Sequence, residues 1–521
     1  MTWQPELDDL KRRQEFAAKL GGERGIAEQR RRGKLLVRER VDGLADPGSF
    51  REFGGLIGSA TYDGQSSELA DFVPKGSVNG YAELNGRRVV LAAGDFTVRG
   101  GSGSADGSGS LGAEPRPSER ALESRLPYVR LLDSAGGSVR GFEELGRTYL
   151  PDGNSFTRLD VELLRAVPVV SAALGSVAGL PAVDVCIAHF SVMVDGISQV
   201  FPGGPPVVKA ALGYDITKED LGGPQIHTKI SGVVDNLATD EADAFVQIRR
   251  FLSYLPQNVD EMAPYEEPTD DPNRREESLL SLVPRDTRRG YDAHKAIEAV
   301  VDKGSFFEIA PDYARNRITG LARVNGFPVG IMANNKQVMG GTTDVHGGDK
   351  VIRFIGLCDT FHLPLISFAD EPGFMVGLEM EKAGIERAGA RLVIATVESR
   401  MPWLTIVMGQ LYGVAGQVQH RPTGMFRRYV WPSARWGSMH IEGGVSAAYS
   451  REIREADDPA AKEAEIEARM QAMASPFRTA EATGQDIIDP RETRPLAVEF
   501  VQDAQTILRN QLGPNPVPYK P

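Results

Sequence analysis

Residues 78–101 read VNGYAELNGRRVVLAAGDFTVRGG, and residues 318–341 read ITGLARVNGFPVGIMANNKQVMGG. At an offset of 240, Gly80, Ala82, Asn85, Gly86, Val89, Ala93, Val98, Gly100 and Gly101 meet Gly320, Ala322, Asn325, Gly326, Val329, Ala333, Val338, Gly340 and Gly341. Upstream, DPGSFREF at 46–53 answers DKGSFFEI at 302–309. Downstream, LPYVRLLDSAGG at 126–137 answers LPLISFADEPGF at 363–374, and VPVVSAALGSVAG at 167–179 answers MPWLTIVMGQLYG at 401–413. Four blocks in one order, with slowly drifting offsets, predict two copies of one domain that differ in loop length.

The remaining organisation follows from that repeat. Residues 1–35, dense in Arg, Glu and Lys, form a helical arm. The first copy spans 36–256 and the second 290–521. Between them, 257–289 carries Pro264, Pro268 and Pro272 among acidic residues, the composition of a linker. Within each copy, short apolar runs such as VVLAA (89–93), YVRLL (128–132), PVVSAAL (168–174) and VDVCIA (183–188) suit strands covered on both faces. Helical patterns lie between them: 240–255 with Asp240 as N-cap, and 457–475. The expected fold class is α/β.

Composition narrows the function. The 521 residues include 59 Lys+Arg and 71 Asp+Glu, a net charge of −12, against a general nucleic-acid surface. Cys186 and Cys358 are the only cysteines, so neither a disulfide framework nor a four-Cys zinc site can form. The uncharged run from Ala166 to Val183 is broken by prolines and glycines. It reads as a strand, a glycine loop and the start of a helix, not as a membrane span. The acidic, helical N-terminus does not read as a cleavable signal, and a cytoplasmic protein is expected.

Chemistry is expected in loops. In both copies a strand enters a glycine-bearing turn, Gly175-Ser-Val-Ala-Gly179-Leu180 and Gly409-Gln-Leu-Tyr-Gly413-Val414-Ala415. Such turns aim backbone N–H groups at a ligand and favour negative charge. The alternative is that the glycines allow close helix–sheet packing. A second pair, Asp133-Ser134-Ala135-Gly136-Gly137 and Asp370-Glu371-Pro372-Gly373-Phe374, also follows buried strands. There the two aspartates are equally well read as Asx turns. Gly107–Gly112 matches GxGxxG but follows a polar run instead of a strand. No Walker loop, HExxH or Gly-x-Ser-x-Gly elbow occurs, the histidines are scattered, and Arg427-Arg428 reads as a packed, solvated edge. Paired backbone anion sites without a side-chain nucleophile suit enolate chemistry.

The blocks RERVDGLADPGSF, DFTVRGGS, LLDSAGG, GYDITKEDLGGPQIHTKISGVVD, FADEPGFMVG, ERAGARLV, YVWPSARWGSMH and DIIDPRETR, in order from about Lys34 onward, resemble the carboxyltransferase (β) subunit of biotin-dependent acyl-CoA carboxylases. The relatives are the propionyl-CoA, methylcrotonyl-CoA and geranyl-CoA enzymes. That resemblance implies two tandem crotonase-like (ClpP/crotonase superfamily) domains. It implies transfer of CO2 from carboxybiotin to the α- or vinylogous γ-carbon of an acyl-CoA, with both oxyanions held by backbone amides. Gly179 and Leu180 would serve the acyl enolate, and Val414 and Ala415 the biotin oxygen.

By the same resemblance Gly100, Gly101, Ser134, Ala135, Gly136, Gly137 and Ala178 line the acyl-CoA side. Pro372, Gly373, Phe374, Gly413, Gly416 and Gln417 line the biotin side. Arg38, Arg40 and Arg99 are candidates for the CoA phosphates, with surface ion pairs as the alternative. The implied cofactor is biotin on a separate carrier, since no Met-Lys-Met motif occurs; no metal, membrane or nucleic acid is implied. Partners are a biotin carboxylase and carrier (α) subunit and further copies in a homohexamer, a trimer of dimers. Leu180-Pro181 departs from the family's second glycine, and Tyr412-Gly413-Val414-Ala415-Gly416-Gln417 is nearer the methylcrotonyl and geranyl pattern. The alternatives are a biotin-dependent decarboxylase or transcarboxylase subunit and a catalytically silent assembly paralogue.

Overall fold

The repeated Asn-Gly pairs make hairpin turns. Asn85 and Gly86 have φ of 52° and 74°, and Asn325 and Gly326 have 49° and 79°, the doubly positive geometry of a two-residue turn whose twist matches its strands. Asp46 closes the first turn by accepting from the amides of Asn85 (3.1 Å) and Gly86 (2.7 Å). Asp302 closes the second from Asn325 (3.0 Å) and Gly326 (2.8 Å). Thus two sequence blocks about forty and about twenty residues apart in the two halves recur together because one caps the other.

The structure, a computed structural model, describes every residue except Met1, 66–67, 102–115, 138–142, 144–145, 149–156 and Pro422. The glycine pattern at 107–112 lies outside the described residues. Contacts divide the chain into two units, Met1–Val259 and Asp260–Lys520 (with Pro521 grouped in the first). Both are mixed α/β structures whose sheets are mainly parallel. Among the described residues, no helix is long and apolar enough to cross a membrane.

The first unit contains β1 (Arg51–Phe53), β2 (Gly58–Tyr62), β3 (Leu69–Pro74), β4 (Ser77–Leu84), β5 (Arg87–Gly94), β6 (Tyr128–Ser134), β7 (Val169–Ala178), β8 (Phe190–Val194), β9 (Gln199–Phe201) and β10 (Asn236–Ala238). Its main sheet runs β1-β4-β5-β6-β7-β8-β10, with β9 also paired to β7, while β2 and β3 form a separate ribbon. β1, β4 and β5 are antiparallel neighbours, and β5 through β8 are parallel. The ladder between β6 and β7 slips at Leu132/Ser134.

The second unit contains β11 (Phe307–Glu308), β12 (Arg317–Val324), β13 (Phe327–Asn334), β14 (Leu365–Glu371), β15 (Trp403–Tyr412), β16 (Phe426–Val430) and β17 (Arg435–Gly437). Its sheet runs β11-β12-β13-β14-β15-β16, with β17 also on β15. β11, β12 and β13 are antiparallel neighbours, the later pairs are parallel, and β14 slips against β15 at Ala369/Glu371. Order, direction and slip therefore repeat those of the first unit's main sheet strand for strand, β10 aside. The buried cluster includes Ile331, Phe368, Ile406, Trp431 and Phe500.

Helices form where the sequence predicts most of them: Gln4–Ala17 and Gly22–Arg31 in the arm, Glu241–Ser253 and Pro459–Met473. Asp240 accepts from the Asp243 amide at 2.8 Å, and Asp458 from that of Ala461 at 3.0 Å. One expectation is corrected. The run 183–188, composed like a strand, is mostly the second half of the helix Leu180–Cys186. Pro181 in its first turn fits a helix start, and the Asp184 carbonyl accepts from Ser171 Oγ at 2.9 Å. Residues 260–289 pack against their own unit: Arg323 donates to Pro264 O (2.7 Å), Arg274 to Val301 O (2.9 Å), and Leu279 is buried.

Candidate functional site

In the first unit β7 ends at Ala178, and Gly179 turns the chain into the helix Leu180–Cys186 with φ 68° and ψ −135°. No residue with a Cβ adopts that combination readily. The Gly179 amide donates to Phe201 O at 3.3 Å, and the amides of Ala182 and Val183 donate back to Gly179 O. Pro181 has no N–H to give. That leaves the Leu180 amide, the first of the helix, with no acceptor among the described residues. Leu180 is itself 43% exposed.

Three segments converge on this turn. Ala135 donates to Gly100 O at 2.8 Å, Ser134 Oγ donates to Gly101 O at 2.9 Å, and the Gly136 amide donates to Ser134 Oγ at 3.2 Å. A Cβ on Gly136 would fall 2.5 Å from Ala178 O; one on Gly179 would stand 3.8 Å from Gly136 Cα and 4.0 Å from Gly137 N. The structure thus gathers Gly100, Gly101, Ser134, Ala135, Gly136, Gly137, Ala178, Gly179 and Leu180.

In the second unit β15 ends at Tyr412, and Gly413, with φ 61°, opens the helix Gly413–Gln417. The amides of Val414 and Ala415 have no acceptor among the described residues. Val414 is 52% exposed, whereas Ala415 and Gly416 are buried and Gln417 is exposed. The turn 372–374 lies alongside: His440 Nε2 donates to Pro372 O at 2.8 Å, and its ring packs on Tyr412 with centroids 4.3 Å apart. Gly373 O accepts from the Thr343 amide at 3.2 Å, and the Phe374 ring fills the space a Cβ on Gly389 would need. The six residues expected on the biotin side, Pro372, Gly373, Phe374, Gly413, Gly416 and Gln417, all belong to these two turns, which Tyr412 and His440 link.

The aspartates behind the turns are not Asx turns, contrary to one of the sequence readings. Asp133 is buried and accepts from Lys34 Nζ (2.7 Å), Arg40 Nη1 (3.0 Å) and Gln29 Nε2 (3.1 Å). Burial pushes the Lys34 ammonium below its usual range, and the Asp133 carboxylate acts against that shift. Asp370 accepts from Tyr291 Oη (2.9 Å) and from the Gln410 amide (2.7 Å), with Lys336 Nζ at 3.4 Å. Burial beside that carboxylate pushes the Tyr291 phenol well up.

Arg40 is corrected as a phosphate candidate: it is fully buried between Asp133 and Glu241 and donates to Leu174 O at 2.6 Å. Arg38 pairs with Glu52 at 2.8 Å. Arg99 closes one end of the Gly100-Gly101 turn in a left-handed conformation, φ 52°. Arg427 is paired with Glu499 and Asp503, and Arg428 with Gln485.

Sequence reasoning misses the polar groups under the second turn. Glu371 is fully buried; it accepts from Arg317 Nη1 (2.8 Å), Thr343 Oγ1 (2.6 Å), Asn334 Nδ2 (2.8 Å), Gln419 Nε2 (3.3 Å) and the Gly373 amide (3.1 Å). Burial pushes its carboxyl up and the Arg317 guanidinium down, each partner opposing the other's shift. The one signal available was a charge at the end of each of two mainly apolar strands, Arg317 opening β12 and Glu371 closing β14.

Comparison with known proteins adds the family. The carboxyl transferase domain matches residues 28–510. The chain is 37% identical over 500 residues to the propionyl-CoA carboxylase carboxyltransferase subunit of Haloferax mediterranei, covering 95% of each. It is 34% identical over 487 residues to the methylmalonyl-CoA decarboxylase subunit alpha of Veillonella parvula, covering 92% of this chain and 91% of that one. Among solved structures, a transcarboxylase 12S hexamer with methylmalonyl-coenzyme A and methylmalonic acid bound superposes with a TM-score of 0.86 at 32% identity, covering 97% and 96% of the two chains.

Proposed function

The chain belongs to the carboxyl transferase family, as an acyl-CoA carboxyltransferase, and from that premise we propose that it moves a carboxyl group between biotin and the α-carbon of an acyl-CoA thioester. The observation that carries the mechanism is the pair of equivalent turns after β7 and β15, each ending in helix amides without acceptors among the described residues. Carboxybiotin, when bound, supplies the carboxyl group and, once relieved of it, a base for the α-proton. In the first unit the Leu180 amide holds the thioester oxygen as negative charge develops there. In the second, the Val414 and Ala415 amides hold the ureido oxygen. Preorganised donors of this kind stabilise developing oxyanions without reorganising during reaction.

The donor set fits such a group. Val414 and Ala415 present two adjacent amides, and neither carries an acidic side chain to repel charge on oxygen. The repeated sheet order and strand slip support an origin by internal duplication, two crotonase-like domains in tandem at 36–256 and 290–521, with the acyl-CoA on the first and biotin on the second. A separate carrier brings the biotin, and the active assembly is a homohexamer. The decarboxylase relative favours a second reading, since the same amides serve the transfer in either direction. Purification from the native source with its biotinylated partner, then assay with labelled bicarbonate, ATP and an acyl-CoA panel, tests the proposal. Label in a carboxyacyl-CoA is expected. A confirmed complex that neither carboxylates any thioester nor removes carboxyl groups from carboxyacyl-CoAs overturns it.

A further inference from the structure

The glycine turns of the two units are tied down by different chemistry. In the first unit a neutral hydroxyl, Ser134 Oγ, bridges the Gly136 amide to Gly101 O. At the corresponding place after the strand slip, the second unit has Glu371 instead. Its Oε1 accepts from the Gly373 amide at 3.1 Å. Its Oε2 gathers Thr343 Oγ1, Asn334 Nδ2 and Arg317 Nη1 within 2.6–2.8 Å. Asn334 Nδ2 in turn donates to Gly341 O at 2.9 Å.

The carboxylate also reaches the helix that carries Val414 and Ala415. Gln419 Nε2 donates to Glu371 Oε2 at 3.3 Å and to Ala415 O at 3.4 Å, while its Oε1 accepts from Arg317 Nη2 at 3.4 Å and Ser367 Oγ at 3.2 Å. Thr405 Oγ1 donates to the Gln419 backbone carbonyl at 2.5 Å, so the backbone that carries this side chain is itself anchored. One buried ion pair therefore touches the loops that follow β13, β14 and β15. Glu371, Arg317, Thr343 and Gln419 are all buried to within 1% exposure. A buried carboxylate in this setting is costly unless it is paired and fully bonded, so an apolar or neutral pair would serve packing alone at least as well.

We propose that the Arg317–Glu371 pair is the positioning centre of the biotin side, fixing the 372–374 turn and the Val414 and Ala415 amides relative to one another. The inference rests on the reading that those amides hold the biotin oxygen. Neither residue touches a reacting atom; they act through Gly373, Thr343 and Gln419. Loosening such amides by about 1 Å is expected to lower turnover about 100-fold.

The full-length protein, unaltered and as Glu371→Gln, Thr343→Val and Thr343→Ser, tests this with two readouts. The first is transfer of label from carboxyl-labelled methylmalonyl-CoA to free biotin. The second is amide hydrogen exchange of peptides covering 372–377 and 411–419, against 126–137 and 169–182 of the other unit. E371Q is expected to lower kcat about 100-fold and raise KM for biotin, leaving KM for the thioester within twofold. Exchange should rise in the two second-unit peptides alone. T343V should show a smaller form of both effects and T343S should restore them, because the hydroxyl to Glu371 returns. Unchanged exchange at 372–377 and 411–419 in E371Q overturns the inference, as does an equal rise in KM for both substrates. If the unaltered protein transfers no label from methylmalonyl-CoA or from any other carboxyacyl-CoA of a panel, the functional reading fails on its own, and the exchange data alone decide whether Arg317–Glu371 is the positioning centre.

Discussion

A Cβ placed on Gly175 would lie 2.1 Å from Oδ1 of Asp133. The residues sit on neighbouring strands, β7 and β6, and the carboxylate fills the space left by the missing side chain. The second unit repeats the relationship, with a Cβ on Gly409 falling 2.3 Å from Oδ2 of Asp370. These glycines are therefore required by a carboxylate packed flat against the backbone, not by a positive φ. Each begins the last stretch of strand before a turn that leaves helix amides unpaired among the described residues.

Gly175→Ala should accordingly destabilise the first unit. Asp133 is held by Lys34, Arg40 and Gln29 and cannot retreat without breaking buried bonds. Overpacking of this kind costs about 1–3 kcal/mol and sometimes more, and the upper part of that range is expected. Gly348, within the helix Val345–Thr360, has nothing within 4 Å of its would-be Cβ. Gly348→Ala should instead gain about 0.5–1 kcal/mol from helix propensity. Urea denaturation of both variants measures the contrast; equal behaviour would contradict the packing argument.

Asp133→Asn removes the charge that two buried cations share. Lys34 is 3% exposed at its side chain and has no other carboxylate partner among the described residues, whereas Arg40 keeps Glu241. Breaking one side of a buried ion pair costs about 3–5 kcal/mol. Lys34→Met should cost clearly less, because Arg40 and Gln29 still satisfy Asp133. Denaturation midpoints in the order unaltered, K34M, D133N are the expected result, and inversion of the last two would refute it.

The repeat was legible because its anchors are local: Asn-Gly turns, glycines before helices, and the Asp that caps each hairpin all occupy fixed sequence places. The site turns were legible for the same reason, since Gly179 and Gly413 must adopt conformations that few other residues tolerate. The partners of Asp133 were not. Lys34 and Arg40 lie on the segment leading into and through the helix Val37–Leu44, far from β6 in sequence, and nothing in their neighbourhood marks them as buried. The run 183–188 failed for another reason. Composition alone cannot separate a buried strand from a short buried helix, and Pro181 decides the matter.

His294 gives a pH signature. Its Nε2 lies 2.9 Å from Glu308 Oε2 and its Nδ1 3.0 Å from Asp292 Oδ1. Bonding to Glu308 first, then to Asp292, raises its pKa from 6.5 to about 9 against the opposing effect of burial. A pKa raised on folding means stability that is fully present below about pH 6.5 and lost as pH climbs through about 9. His294→Gln should remove that part of the pH dependence. Denaturation midpoints between pH 6 and 10 should fall more steeply for the unaltered protein than for H294Q; parallel curves would exclude the linkage.

The amide at 414 can be removed without disturbing packing. Val414 is 52% exposed and is the second residue of its helix, a position where proline needs no N–H. The preceding Gly413 has φ 61°, outside the right-handed helical region that a following proline disfavours. Val414→Ala keeps the amide and should leave carboxyl transfer unchanged. Val414→Pro deletes one proposed donor to the biotin oxygen and should lower kcat about 10²–10³-fold, with an unaltered melting temperature. Should V414P turn over as fast as V414A, the work attributed to this amide would have to be done elsewhere.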